Sequence, residues 1–167
     1  MKCVGERPEL EVVVNALRRI VRAIRLSSRV AEETLGVSGA QLFVLQQLGE
    51  HPAASMGELA ALTLTDQSSV SVVVSRLVER KLVTRRTSAA DARRAELSLS
   101  ARGRALLRRA PALAQAHLIA SLNRVRDADL RVTARVLDAV ARDMGGGDEP
   151  AAMFFEGDVP AAKRRTS

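Results

Sequence analysis

The sequence predicts a mainly α-helical fold in which one two-stranded hairpin interrupts a series of helices. Apolar residues recur at helical spacing through most of the 167-residue chain. One short segment, "AELSLS", instead alternates apolar and polar side chains, and it follows the turn-forming cluster "SAAD". Hydrophobic residues make up 47% of the chain, which is enough for a packed core, and a chain of this length is most often one domain.

Four helices are predicted before the hairpin. The first has Pro8 in its first turn and ends at Gly36. The second, "SGAQLFVLQQLG", has Ser38 as its N-cap. The third opens with Ser55 and Glu58 at capping-box spacing, at which each side chain satisfies a free backbone N–H of the other.

The fourth helix, "TDQSSVSVVVSRLVERK", begins at Thr65 or Asp66. Its run of valines is also compatible with a strand. Four apolar residues nevertheless follow the helical pattern i, i+3, i+4, i+7, with serines on the opposite face: Val70, Val73, Val74 and Leu77.

The segments "LVTRRT" and "AELSLS" predict the two strands of the hairpin. Ser100 then caps a long helix through "ARGRALLRRAPALAQAHLIASLNRV", and Pro111 inside it predicts a bend near residues 107–110. Asp127 is expected to cap a last helix, which the glycines at 145–147 end.

This order of elements predicts a winged helix-turn-helix fold with long terminal helices. The second of the two short central helices is narrow enough to enter a major groove, and an arginine on a thin hairpin can reach into a minor groove. The charge agrees, because residues 30–75 contain no Lys or Arg whereas residues 76–109 are rich in arginine. A solvated basic surface without a nucleic-acid partner is the alternative.

Several classes of protein are disfavoured by the sequence. It contains no apolar run of membrane-spanning length and no signal-peptide pattern at its start. A single cysteine, Cys3, fits a reducing compartment, so a cytoplasmic location is expected. The sequence has no phosphate-binding glycine loop, no nucleophile–base pattern and no metal-ligand spacing, so we expect neither an enzyme nor a cofactor or metal site.

The segment "ELAALTLTDQSSVSVVVSRLVERKLVTRRTSAADARRAELSLSARGRAL" resembles the MarR family of bacterial transcriptional regulators. The resemblance implies a homodimeric repressor that binds a palindromic operator in double-stranded DNA and is released by a small ligand. It divides the chain into an N-terminal lead (1–8), a MarR-like domain (9–144) and a tail (145–167). Within the domain, helices 9–35 and 101–144 would dimerise, and residues 38–100 would form the winged helix-turn-helix.

The match to the family's recognition helix is close but incomplete. Val72 stands where an arginine is common, Ser75 where an aspartate is common, and Lys81 where a glycine is common. At the wing, Asp91 is followed by Ala92, so that one arginine of the family's Asp-Arg-Arg pattern is missing. The residues expected to contact DNA are Gln67, Ser68, Ser69, Ser71, Val72, Ser75, Arg76, Arg85, Arg86, Asp91, Arg93 and Arg94.

Alternatives remain open for these residues. The serines also suit a solvated helix face, and Asp91 also suits a turn cap in place of orienting the wing. Because an arginine is missing at two places, the alternative function is a winged-helix protein-interaction module with little specific DNA binding.

An effector pocket between the first, second and fifth helices is expected to use arginines to hold an anion. Its candidate residues are Arg18, Arg22, Arg25 and His117, and the alternative for them is a solvated basic face. The tail carries one apolar cluster at 153–155, so it is either flexible or docked on the rest of the protein.

Overall fold

A computed structural model describes residues 7–87, 95–145 and 153–154. Over these ranges it confirms the predicted fold class, with seven helices and two strands. The elements are α1 (Pro8–Leu35), α2 (Gly39–Glu50), α3 (Met56–Thr63), α4 (Gln67–Glu79), β1 (Val83–Thr87), β2 (Ala95–Leu99), α5 (Ala101–Leu107), α6 (Ala114–Leu122) and α7 (Asp127–Asp143).

The core of the protein is built around α2, which packs against α1, α3, α4, α5 and β2. Most of α2 is buried, because it is apolar on nearly all sides, as a helix enclosed by other elements must be. The largest fully buried residues include Leu42, Phe43, Leu45, Leu48, Leu59, Leu77, Leu82 and Leu97.

The predicted helix starts are confirmed for the central helices. Both capping boxes form, with Ser38 and Gln41 at α2 and with Ser55 and Glu58 at α3. Ser100 accepts the N–H of Gly103 over 2.9 Å and so caps α5. These caps fix where each short helix begins.

The wing is a two-stranded antiparallel sheet, whose register runs from Val83 opposite Leu99 to Thr87 opposite Ala95. Leu97 and Leu99 face the core, which confirms the predicted alternation. The N–H of Leu97 donates to the carbonyl of Ala54 over 2.8 Å, so the loop before α3 supports the base of the wing. The tip of the hairpin lies outside the described residues.

The predicted single helix from residue 101 to residue 125 is wrong. The chain leaves helical geometry after Leu107 and resumes it at Ala114, so Pro111 lies in a full break and not in a bend. Three features hold the break open. Pro111 has no N–H to donate, Leu113 is buried in an extended conformation, and the hydroxyl of Ser27 in α1 accepts the N–H of Ala114 over 3.2 Å.

The predicted cap of the last helix is also wrong. Asp127 is the first residue of α7, and the N-cap position belongs to Arg126, which makes no side-chain cap. Asp127 and Asp129 instead place negative charge in the first turn, where it complements the helix dipole. Arg126 pairs with Asp129 over 2.8 Å.

The two long terminal helices contribute little to this core. Within the described chain, α7 buries none of its residues, and α1 buries only Ile24, Ser28 and Ala31.

Met153 is 4% exposed and belongs to the core cluster, although it follows α7 in sequence. In the described ranges, no helix combines the length and apolarity needed to cross a membrane.

Candidate nucleic-acid interface

The recognition-helix candidate, α4, has one buried face and one outward face. Its buried residues are Val70, Val73, Val74 and Leu77, as the helical pattern predicted. Ser68, Val72 and Ser75 lie at i, i+4 and i+7 on the opposite side, and all three are exposed. The strand alternative for this segment is therefore excluded.

Asp66 caps the N-terminus of α4. One of its carboxylate oxygens accepts a hydrogen bond from the hydroxyl of Ser68 and another, of 2.9 Å, from the backbone N–H of Ser69. These bonds hold the pKa of Asp66 well below its ordinary value. The carboxylate therefore stays ionised, and its capping is lost only as the pH falls through the lowered pKa.

Two serine hydroxyls of the outward face are already engaged within the protein. The hydroxyl of Ser68 donates to Asp66, and that of Ser75 donates to the carbonyl of Ser71 over 2.8 Å. Each retains lone pairs that accept hydrogen bonds. Ser69 and Ser71 are half-buried, whereas Gln67 is exposed at the first position of α4.

Two arginines near the end of α4 have different placements. Arg76 is exposed on the outward side of the helix. Arg80 turns back, and its guanidinium donates to the side-chain oxygen of Gln41 over 3.0 Å. This contact joins the end of α4 to the start of α2. Sequence reasoning missed it, because no local pattern links two residues so far apart in the chain.

The wing places two further arginines at the surface. Arg85 and Arg86 are both exposed on β1, and Arg86 lies directly opposite Glu96. Successive strand residues point to opposite faces, so these two guanidinium groups leave the wing on different sides. Three predicted contacts at the wing tip, Asp91, Arg93 and Arg94, lie outside the described residues.

Lys81 connects α4 to the wing in a left-handed conformation, with φ of +58°. Its carbonyl accepts the hydroxyl of Ser100 over 2.7 Å, which ties the turn to the start of α5. The family's usual glycine suits this backbone, whereas a side chain at the same φ is strained.

A groove of 640 Å³ lies along α1. Four arginines line it at helical spacing together with apolar side chains, namely Val14, Leu17, Arg18, Val21, Arg22, Arg25, Leu26 and Arg29. Among the described residues the lining of this groove comes from α1 alone, whereas the predicted effector pocket lay between the first, second and fifth helices. His117 is exposed on α6 and is not part of this lining, so the structure does not bring it together with the arginines.

Two short helices in sequence, an outward polar face on the second and a hairpin with exposed arginines define a winged helix-turn-helix DNA-binding protein. Residues 35–94 match the model of the MarR family. The chain is 31% identical over 120 residues to an HTH-type transcriptional repressor of Mycobacterium tuberculosis, covering 72% of this chain and 78% of that protein. The chain belongs to the MarR family and is a DNA-binding transcriptional regulator, not an enzyme.

Other known proteins agree with this assignment. The transcriptional repressor MdtR of Bacillus subtilis is 31% identical over 88 residues, which cover 53% of this chain and 57% of MdtR. The structure of Bordetella bronchiseptica BpsR, described for regulation of its DNA binding by 6-hydroxynicotinic acid, is 25% identical with a TM-score of 0.52, covering 89% of this chain and 99% of BpsR. A probable transcriptional regulator from Pseudomonas aeruginosa is 26% identical with a TM-score of 0.51, covering 77% of this chain and 96% of that one.

Proposed function

We propose that this protein is a homodimeric repressor that binds a palindromic operator and is released by a small anionic ligand. The observation that carries the proposal is the outward polar face of α4 beside an arginine-bearing wing, on a chain whose long terminal helices leave their apolar faces uncovered. A regulator of this kind acts on chromosomal DNA in the cytoplasm.

The uncovered apolar faces support a dimer. On α1 they comprise Leu10, Val13, Leu17, Ile20 and Val21, and on α7 they comprise Val132, Val136, Leu137 and Val140. Each of these side chains is more than a third exposed in the single chain. Contiguous apolar surface of this kind is costly in water and marks an interaction site. We therefore assign residues 9–35 and 101–144 to a shared dimer core.

In this assignment residues 38–100 contact DNA. The serines and Gln67 of α4 would offer hydrogen bonds in the major groove, and Arg76 is long enough to reach a phosphate. Arg85 and Arg86 would hold the wing against the backbone, Arg93 and Arg94 would reach the minor groove, and Asp91 would orient the wing tip. Two α4 helices related by the dimer axis would require an operator with inverted repeats.

The arginine groove on α1 supports an anionic effector. Arg18, Arg22 and Arg25 supply positive charge beside apolar side chains, which suits a carboxylate attached to a small apolar body. DNA binding by the structurally similar BpsR is regulated by a small carboxylic acid, 6-hydroxynicotinic acid. The groove shares Leu17 and Val21 with the apolar face assigned to the dimer, so a ligand bound there would favour one dimer geometry and shift the spacing of the two α4 helices.

The experiment that tests DNA binding is a titration of the dimer against random duplexes at two salt concentrations, followed by selection of the tightest binders. We expect affinity to fall steeply with salt and the selected sequences to share an inverted repeat. Selected sequences without a common motif, bound weakly at both salt concentrations, would favour the protein-interaction module instead.

The effector is tested separately by thermal unfolding with 6-hydroxynicotinic acid and with its uncharged amide. The acid is expected to raise the unfolding temperature of the wild type, and Arg22→Ala is expected to reduce this shift. An equal shift by the amide would contradict recognition of the anionic group.

A further inference from the structure

The line of outward side chains on α4 has an apolar residue at its centre. Val72 lies one turn after Ser68 and one turn before Ser75, and it is 45% exposed. The other three valines between residues 70 and 74, which are Val70, Val73 and Val74, are all buried. Burial in the core therefore does not account for the apolar residue at position 72.

The two neighbours of Val72 on this line are committed within the protein. Ser68 donates its hydroxyl proton to Asp66, and Ser75 donates its proton to the carbonyl of Ser71. To donate to a base, either hydroxyl must first give up an internal hydrogen bond. Val72 has no such engagement to lose, because its side chain makes only van der Waals contacts.

The same stretch of α4 carries no positive charge. From Gln67 to Ser75 the sequence is "QSSVSVVVS", so this stretch itself offers no guanidinium or ammonium group to pair with O6 and N7 of guanine, and the nearest cation on the outward side is Arg76, one turn after Val72. The C5-methyl group of thymine is the apolar feature that the major groove offers, and an exposed valine methyl is its complement.

We propose that the centre of α4 reads the methyl group of a thymine, and hence an A·T pair, through Val72. This inference rests on the proposed insertion of α4 into the major groove. The inference assigns base discrimination to Val72, at a position where the family commonly has an arginine, and it places one A·T pair in each operator half-site under this residue.

The test uses the duplex selected with the wild-type protein, in which each thymidine is replaced in turn by deoxyuridine. This change removes the methyl group and leaves base pairing intact. At one thymine in each half-site, we expect the affinity of the wild type to fall about fourfold, the factor for losing one buried methyl group. The Val72→Ser variant is expected to bind the two duplexes equally.

Val78→Ser is the matched control, because Val78 is a partly exposed valine of α4 that lies off this line. It should retain the wild-type response to deoxyuridine. The inference is overturned if no single thymine is sensitive, or if Val72→Ser keeps the full sensitivity. Absence of binding to every duplex by wild-type protein would overturn the proposed function together with it. Thermal unfolding of both variants verifies that they fold.

A second variant gives an independent readout of the same contact. Val72→Arg places a cation at the centre of the line, so selection with this variant should move the preference at that position from A·T toward guanine. Its affinity for random duplexes should rise and become more sensitive to salt, since the arginine also attracts phosphates. Identical base preferences for the two proteins would overturn the inference.

Discussion

At the scale of single residues, the connection between α4 and the wing carries a local strain. Lys81 adopts a left-handed conformation, which costs a residue with a side chain about 1–2 kcal/mol. The strain persists because Leu82 is buried directly after it and because the carbonyl of Lys81 is held by Ser100.

Lys81→Gly is therefore expected to raise the free energy of unfolding by about 0.5–1 kcal/mol. This value is the relief of backbone strain minus the larger entropic cost of ordering a glycine on folding. Urea denaturation measures the change. Lys81→Ala is the control, since it removes the charge but keeps the Cβ atom, and it should give no gain. A gain with alanine equal to that with glycine would show that charge, not backbone strain, decides stability here.

Residue-scale features were predicted from sequence where they are local. Ser38, Ser55, Asp66 and Ser100 all cap helices as expected, because a cap involves side chains and N–H groups only three positions apart. The contact from Arg80 to Gln41 was not predictable in this way. It depends on how α2 and α4 pack, which a single sequence does not encode in any fixed spacing.

At the scale of elements, α5 approaches the wing very closely. An added Cβ on Gly103 would clash with the carbonyl oxygen of Leu82, a backbone atom that cannot move aside easily. Gly57 in α3 is also a helical glycine, but an added Cβ there would meet nothing. The two positions thus differ in packing while sharing the same secondary structure.

Gly103→Ala is expected to lower the free energy of unfolding by about 1–3 kcal/mol, the usual cost of overpacking. Gly57→Ala should raise it by about 0.5–1 kcal/mol, because alanine favours a helix over glycine and has room at this position. Both values follow from urea denaturation. A stable Gly103→Ala variant would mean that α5 lies farther from the wing than the structure places it.

The break between α5 and α6 shows how far sequence reasoning reaches at this scale. Pro111 predicts a disturbance of the helix, but a proline alone is compatible with either a bend or a break. The outcome depends on Leu113 entering the core and on Ser27 binding the N–H of Ala114. Both are long-range contacts. The periodicity on each side of Pro111 therefore predicted helical structure there but not the break between α5 and α6.

At the scale of the whole molecule, the chain has a compact winged-helix core and two terminal helices with exposed apolar faces. Helix order and burial within α4 were predictable, because periodicity records which face is apolar. The periodicity does not indicate whether an apolar face packs against the same chain or against a second copy. The dimer and the DNA contacts consequently stand as proposals that rest on exposure and charge.

Met153, which follows α7 in the chain, also belongs to this core. Met153→Ala is expected to lower the free energy of unfolding by about 2 kcal/mol, since Met153 is buried in the core cluster. Met144→Ala is the matched control, because Met144 is 83% exposed, and it should change stability little. Equal effects of the two substitutions in urea denaturation would mean that the segment at 153–154 is not anchored in solution.

Hydroxyl-radical footprinting of the protein on its selected duplex tests the central claim most directly. A dimer that inserts two α4 helices and two wings should protect two segments whose centres are about 10 base pairs, or one helical turn, apart and related by an inverted repeat. The footprint should weaken with added salt. A single protected segment, or none under conditions in which the protein is folded, would contradict a dimer that reads DNA through α4.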